Sequence, residues 1–387
     1  MSFIQSHEAV IEPFVPHVAL YFHRLAQAGG AERMICQLAN SLADRGVRTV
    51  LVSWDDVQAE AFYPIDRRVA WWRLDHRPGL VDKIRRSLRL ARTLRQQGVQ
   101  VLIGFVMSGD RTVYAAAKLS GVHLVAAERN APSMYRLRYS ARQRWQSFFL
   151  MRFLDRIVVQ FPDYADGYPA TLQGRINVIA NPVTPAVSRA KPAEPDIEGR
   201  YRLLAISRLD EVQKRLSCLF DAFARVADDY PNWDLLVVGD GPDKGALEKR
   251  IETLQLSDRV RISPSRCNVS DVYLDSNLFA IPSLWEGFPN ALAEAMAHGL
   301  PAVGFAGADG VAHLVVDGEN GWLAVGVDDP GTLARALAAA MGDHAGRSHR
   351  GARAAAAMAA FVPDVQFDKW QSLIEELMLS SQNAVQA

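Results

Sequence analysis

Residues 15–54 read VPHVALYFHRLAQAGGAERMICQLANSLADRGVRTVLVSW. The run Val15–Phe22 is apolar and ends in His23 and Arg24, as a buried strand emerging at a sheet edge does. A glycine turn follows at Gln27-Ala28-Gly29-Gly30. Met34, Ile35, Leu38, Ala39 and Leu42 then recur at helical spacing over Ala31–Arg45, and Gly46 supplies the stop. Thr49–Trp54 is the next apolar run. Strand, glycine-rich turn, helix and strand in this order make the crossover unit of a parallel sheet.

The same rhythm continues through apolar runs at Val99–Val106, His123–Ala127, Arg156–Val159 and Val178–Ala180. Between Pro182 and Pro195 it stops; four prolines and no periodicity mark a linker. A second series then begins, with runs at Tyr201–Ile206, Leu235–Val238, Val260–Ile262, Leu278–Ile281, Pro301–Phe305 and Trp322–Ala324. A chain of 387 residues is too long for one ordinary core. The fold class expected is therefore α/β, with two doubly wound, Rossmann-like parallel-sheet domains facing across a cleft. We expect the first domain over 1–184, a linker over 185–196 and the second domain over 197–362. A last helix over 363–387 is expected to pack back on the first domain. Ligands of such sheets bind at the carboxyl ends of the strands.

Composition narrows the function classes. Cys36, Cys218 and Cys267 are far apart and form no CxxC pair, so a disulfide framework or zinc knuckle is not expected and a reducing cytosol fits. MSFIQSHEAVIEPF has two acids and no basic region before its apolar residues, unlike a secretion signal. No stretch approaches the ~18 apolar residues of a membrane span. The net charge of zero hides a division: through Ala190 there are 25 Lys+Arg against 15 Asp+Glu, and the remainder holds 18 against 28. A basic half and an acidic half point to different partners.

Chemistry concentrates after the strands of the second series. Ser283–Ala297 reads SLWEGFPNALAEAMA, a loop running into a helix, with Pro289 suited to its first turn. The free N–H groups and dipole of a helix start bind anions. Glu286 just before it and Glu294 a turn inside it suit a ligand bearing a phosphate and several hydroxyls. A capped surface helix with two solvated glutamates is the competing reading. Arg208 and Lys214 flank a short polar loop after Tyr201–Ile206, where two cations are able to hold a diphosphate and stabilise its departure. The turn Gly239-Asp240-Gly241-Pro242 lines the same edge. The Gly29-Gly30 turn is not GxGxxG and lacks a well-placed acid on the second strand, which disfavours a dinucleotide.

Together GGAERM at 29–34, SRLDEVQK at 207–214, VVGDGP at 237–242 and EGFPNALAE at 286–294 resemble glycosyltransferase family 4, with NPV at 181–183 and DGENGW at 317–322 in support. The resemblance covers nearly the whole chain and implies the two-domain GT-B fold, a nucleotide-sugar donor, retention of anomeric configuration and no metal or other cofactor. It implies that Glu286 contacts the donor hexose and Glu294 the ribose. The backbone at Gly287, Phe288, Pro289 and Asn290 would approach the sugar and distal phosphate. Arg208 and Lys214 would contact the diphosphate, Gly29 and Gly30 the donor from the first domain, and the loop around Ser265 and Cys267 the nucleobase. Gly241 completes the expected donor-binding set. Where many members carry a histidine, this chain has Glu128-Arg129-Asn130, which leaves open which of the three faces the donor; Arg129 is placed with the catalytic set and Asn130 with the donor-binding set. His23 and His298 are expected to be structural. Consistent with a metal-free reaction, the chain contains no DxD.

The branch resembled builds bacterial surface or lipid-linked glycans, which favours UDP over GDP and a hexose or N-acetylhexosamine. A GDP-mannose-dependent enzyme, a sugar-nucleotide epimerase and a nonenzymatic sugar-nucleotide-binding protein are the rivals. Leu80–Arg95 aligns Leu80, Ile84, Leu88 and Ala91 on one helical face among many basic residues, and Tyr135–Arg152 mixes arginines with aromatics. Such segments suit an anionic membrane surface. No nucleic-acid reader motif accompanies them, so nucleic acid is not the expected partner. The expectation is a cytoplasmic protein, peripheral on the inner face of the membrane, with a lipid-linked or oligosaccharide acceptor.

Overall fold

A computed structural model describes residues 17–27, 29–75, 80–105, 110–266 and 268–386. The N-terminal leader reading, the strand ends Val15, Pro16 and Val106, Ala28 of the glycine turn and Cys267 of the donor set lie outside the described residues.

The first sheet is built from β1 (His17–Tyr21), β2 (Arg48–Ser53), β3 (Ala70–Arg73), β4 (Val101–Phe105), β5 (His123–Ala127), β6 (Arg156–Val159) and β7 (Ile176–Val178). Its helices are α1 (Gly30–Asp44), α2 (Leu80–Gln96), α3 (Arg111–Ser120), α4 (Met134–Leu137), α5 (Ala141–Met151) and α6 (Ala170–Gln173). All seven strands are parallel, in the order β3-β2-β1-β4-β5-β6-β7. The order reverses between β1 and β4, and the crevice that opens there receives the Gly29–Gly30 turn. Gly46, at φ +80, ends the first crossover helix.

The second sheet uses β8 (Tyr201–Ile206), β9 (Trp233–Val238), β10 (Val260–Ser263), β11 (Leu278–Ile281), β12 (Ala302–Phe305) and β13 (Gly321–Ala324). Between them lie α7 (Glu211–Lys214), α8 (Leu216–Ala224), α9 (Lys244–Thr253), α10 (Ser270–Leu274), α11 (Asn290–Ala297) and α12 (Val311–Leu314). These strands are also all parallel, ordered β10-β9-β8-β11-β12-β13, with the reversal between β8 and β11. After them come α13 (Pro330–Gly342), α14 (His344–Ala357) and the long α15 (Pro363–Gln386).

Alternate strand residues feed opposite faces of the first sheet, as the period of a strand requires. Ala19, Tyr21, Val50, Val52, Leu102 and Leu124 meet α2, α3, α4 and α5. Val18, Leu20, Leu51, Val101, Ile103 and Val125 meet α1 and α15 through Ile35, Leu38, Trp370 and Leu373. The last helix thus returns from the second domain to cover the first. At the return, the Val183 N–H donates to the Phe361 carbonyl over 2.7 Å, so the two chain crossings touch.

Three local readings are corrected. β3, the edge strand Ala70–Arg73, lies outside the strands expected: its apolar run Val69–Trp72 is only four residues between Arg68 and Arg73, and its tryptophans stay half exposed. β7 spans Ile176–Val178 rather than Val178–Ala180; the buried Ile179 and Ala180 lead the chain out of the sheet, and an unbroken apolar run does not mark where pairing stops. α2 buries Leu90, Ala91 and Leu94 and leaves Ile84 and Leu88 exposed, because two overlapping stripes share its helical spacing and only packing against α3 selects one.

Candidate active site

The loop after β11 makes one wall of the site. Pro289 sits at the cap position and α11 begins at Asn290, so the proline precedes the first turn rather than entering it. Glu286 is buried, and its Oε1 accepts from Lys214 Nζ at 2.6 Å and from Ser283 Oγ at 2.7 Å. Lys214 reaches it from the end of α7, a one-turn helix capped by Asp210, whose carboxylate accepts the Val212 N–H. The Glu286 N–H donates to the Asp309 carbonyl over 2.8 Å, pinning the loop to the β12–α12 connection.

The opposite wall is the start of α1. A Cβ on Gly30 would lie 2.8 Å from Asn290 Nδ2, so α1 and α11 meet nearly end to end, and the side chain is missing where they approach. Arg33, on the first turn of α1, donates to Glu294 Oε1 across the cleft, while Tyr273 Oη donates to Glu294 Oε2 over 3.2 Å. Burial alone would lower the Arg33 pKa, but Glu294 outweighs it and the net direction is upward. Burial pushes Glu32 upward, opposed by Arg208, whose charge acts on it from the other domain. Gly30, Arg33, Asn181, Tyr273, Asn290 and Glu294 line a shared cavity of about 380 Å³.

The Glu128-Arg129-Asn130 loop divides its work. Glu128 is buried and accepts from Tyr135 Oη at 2.6 Å. The Arg129 guanidinium lies over the rings of Phe105 and Trp370 and donates to Asn181 Oδ1 at 2.6 Å, with Nε and Nη2 buried and without a hydrogen-bond partner among the described residues. Burial lowers its pKa to about 9. Asn181 Nδ2 then donates to Asn290 Oδ1 over 2.9 Å. Arg129 therefore touches the cavity lining through Asn181. Asn130 does reach the cleft: a Cβ added to Gly287 would lie 2.9 Å from its Cα and 2.1 Å from the Arg129 carbonyl.

Of the remaining expected residues, Arg208 is mostly exposed and pairs with Asp210 at 2.5 Å. Gly241 packs against the Leu209 backbone, where a Cβ would come within 2.3 Å of its carbonyl, so its glycine serves the fit of two loops. The Ser265 N–H donates to Asp240 Oδ2 over 2.7 Å, closing the loops after β9 and β10 into one shelf. Phe288 stacks on Phe161 with centroids 5.6 Å apart. His298 packs on Tyr273 and makes a 2.7 Å contact from Nδ1 to the Glu294 carbonyl. His23 is half exposed and lies 3.7 Å from Asp110. Sequence reasoning missed Arg33, Tyr164 and Tyr273, and gave Asn181 no role although NPV stood out. Tyr164 Oη donates to the carbonyls of Glu286 at 2.7 Å and Gly287 at 2.9 Å, joining the domains.

Two family profiles meet inside the linker. The one described as Glycosyltransferase Family 4 matches residues 28–187, and the one described as Glycosyl transferases group 1 matches 187–357. Together they span both walls of the cleft. The chain is a family 4 glycosyltransferase. This glycosyltransferase is 25% identical over 298 residues to the amylovoran biosynthesis glycosyltransferase of Erwinia amylovora, covering 76% of this chain and 82% of that one. It is 34% identical over 166 residues to an exopolysaccharide phosphotransferase of Streptomyces coelicolor, 43% of this chain and only 18% of that protein. The structure of Anabaena HepE in complex with UDP and glucose superposes with a TM-score of 0.78 at 18% identity, covering 94% of this chain and 99% of HepE. That likeness shows the GT-B fold.

Proposed function

We propose that this glycosyltransferase moves a hexose or N-acetylhexosamine from a UDP-sugar to a lipid-linked or glycan acceptor during assembly of a cell-surface polysaccharide or glycoconjugate, with retention and without a metal. The observation that carries the reading is the meeting of Asn290 and Glu294 with Gly30 and Arg33 across one cavity, with Lys214 paired to Glu286 in the loop just before α11. In this reading Lys214 and the helix start stabilise the departing diphosphate, and Glu286 holds the sugar hydroxyls. Glu294 takes the ribose once Arg33 releases it. The acceptor attacks from the face that the diphosphate leaves, and a phosphate oxygen takes its proton. UDP is favoured by the contents of the HepE complex, and the polysaccharide context by the E. amylovora relative. Transfer from UDP-sugars to acceptor should persist in EDTA; its abolition by chelation would sink the metal-free mechanism. Preferential thermal stabilisation by GDP over UDP would redirect the donor.

We further propose that the α2–α3–α5 face rests on the anionic inner surface of a membrane. Among the described residues no helix is long and apolar enough to cross one. Residues 129–154 contain no acid. On α5 and just beyond it, Trp145, Phe149 and Phe153 are exposed at 65%, 44% and 58%, in ring-to-ring contact at 5.4 and 6.0 Å. Exposed aromatics among arginines suit a lipid–water interface. Co-sedimentation with vesicles should rise with phosphatidylglycerol content, and indifference to it would count against this placement.

A further inference from the structure

We propose that Arg33 changes partners when the donor binds, from Glu294 to the diphosphate, and thereby makes the site favour a nucleoside that carries its diphosphate. This rests on the reading above that Glu294 takes the ribose. α1 and α11 meet start to start, with Gly30 against Asn290. Arg33 stands a turn inside α1 and Glu294 a turn inside α11, and the two pair across the cleft. Glu32, next to Arg33, folds back on its own turn: a Cβ on Gly29 would lie 2.0 Å from its Oε2. Among the described residues Glu294 is the one ion-pair partner of Arg33.

The two charges do not depend equally on their pair. Their side chains are only 32% and 22% exposed, and charges so enclosed are costly to leave without a counterion. Glu294 has a second donor in Tyr273 Oη at 3.2 Å, and ribose hydroxyls donate to a carboxylate as well. Arg33 stays a cation throughout and needs a new anion once the ribose displaces it. A nucleoside brings none. A nucleoside diphosphate brings one on the same molecule. Gly30, Arg33, Asn290 and Glu294 line the same cavity. Asn290 lies about 6 Å from Glu294 along α11, one helical turn, so a swing of that size carries the guanidinium to the α11 start. There its planar fork matches two phosphate oxygens beside the free N–H groups of the helix. In the transfer the anomeric carbon–oxygen bond breaks with its electron pair on the diphosphate. The acceptor oxygen bonds to the anomeric carbon, and the hydroxyl proton passes to a phosphate oxygen. Arg33 enters none of these bonds. It meets the charge that collects on the diphosphate, and only after the ribose has taken Glu294, which ties the chemistry to a seated donor.

The test is calorimetry of uridine and of UDP on the full chain, wild type against Arg33→Ala. Without Arg33 the ribose no longer competes for Glu294, so uridine should bind about ten-fold more tightly. The advantage of UDP over uridine should narrow by about ten-fold or more, because the diphosphate loses a cation. The kcat for transfer from a UDP-sugar should fall, with part of it returned by Arg33→Lys, which keeps the charge. Circular dichroism checks the fold, and Arg33→Met, which keeps the bulk, replaces the alanine variant if that one does not fold. Unchanged or weaker uridine binding without Arg33 would overturn the proposal, since neither a structural residue nor a fixed donor contact yields a gain. So would an undiminished advantage of UDP. The ribose reading fails separately: Glu294→Ala added to Arg33→Ala should weaken uridine again, and no weakening would place the ribose elsewhere.

Discussion

Lys214 and Glu294 are both occupied in the free protein, one by Glu286 and the other by Arg33 and Tyr273. Each pairing holds its side chain in place in the free protein, and in the proposed reading Glu294 is recruited by the donor only as Arg33 lets go. Removing either should show in turnover more than in stability. Lys214→Ala leaves Glu286 buried without its cation and takes away the charge proposed to face the leaving diphosphate; transfer should fall roughly 10²–10³-fold, as loss of a preorganised electrostatic donor does. Glu294→Ala frees Arg33 and removes the expected ribose contact, and should depress transfer mainly through the donor KM. Steady-state kinetics with a UDP-sugar decide both, and wild-type rates in the two variants would remove the site assignment.

Among the elements, α15 acts far from its place in the chain, covering one face of the first sheet. Trp370 is fully buried on it, and its ring supports Arg129, which holds Asn181, which holds the first residue of α11. Trp370→Ala should cost about 3–5 kcal/mol by vacating a large core site, read as a lowered urea midpoint. Residual folded protein should also lose transfer out of proportion to its stability. None of this relay was legible in the sequence, because Asn181 lies 109 positions from Asn290 and Tyr164 lies 122 from Glu286. Nothing near Tyr164 marks it. By contrast, the strands buried on both faces read clearly as short apolar runs, and Glu286, Glu294 and Lys214 stood out as charges beside strand ends and a helix start. Where burial was partial, as in β3, or divided between two stripes, as on α2, the pattern underdetermined the structure. The choice was made by neighbours far along the chain.

The two domains together present a cleft whose faces already touch, and glycine marks the tightest approach. A methyl group on Gly287 would come within 2.1 Å of the Arg129 carbonyl in the other domain. The partner is backbone, so it has no rotamer with which to yield. Gly287→Ala should therefore hold the domains apart with each sheet intact. We expect an unchanged far-ultraviolet spectrum, a larger radius of gyration by small-angle scattering in the presence of UDP, and transfer reduced by at least an order of magnitude. An unchanged scattering profile would show that the interface accommodates the methyl by other means.

The return of α15 to the first domain has a mechanical consequence. The chain passes between the domains twice, and the passages are tied where Val183 donates to Phe361. A body joined by a single tether swivels freely, but one hung on two adjacent pins swings about the line through them. Opening for substrate and closing for chemistry thereby become travel along one arc. Each closure brings α1 and α11 back end to end without a search through orientations.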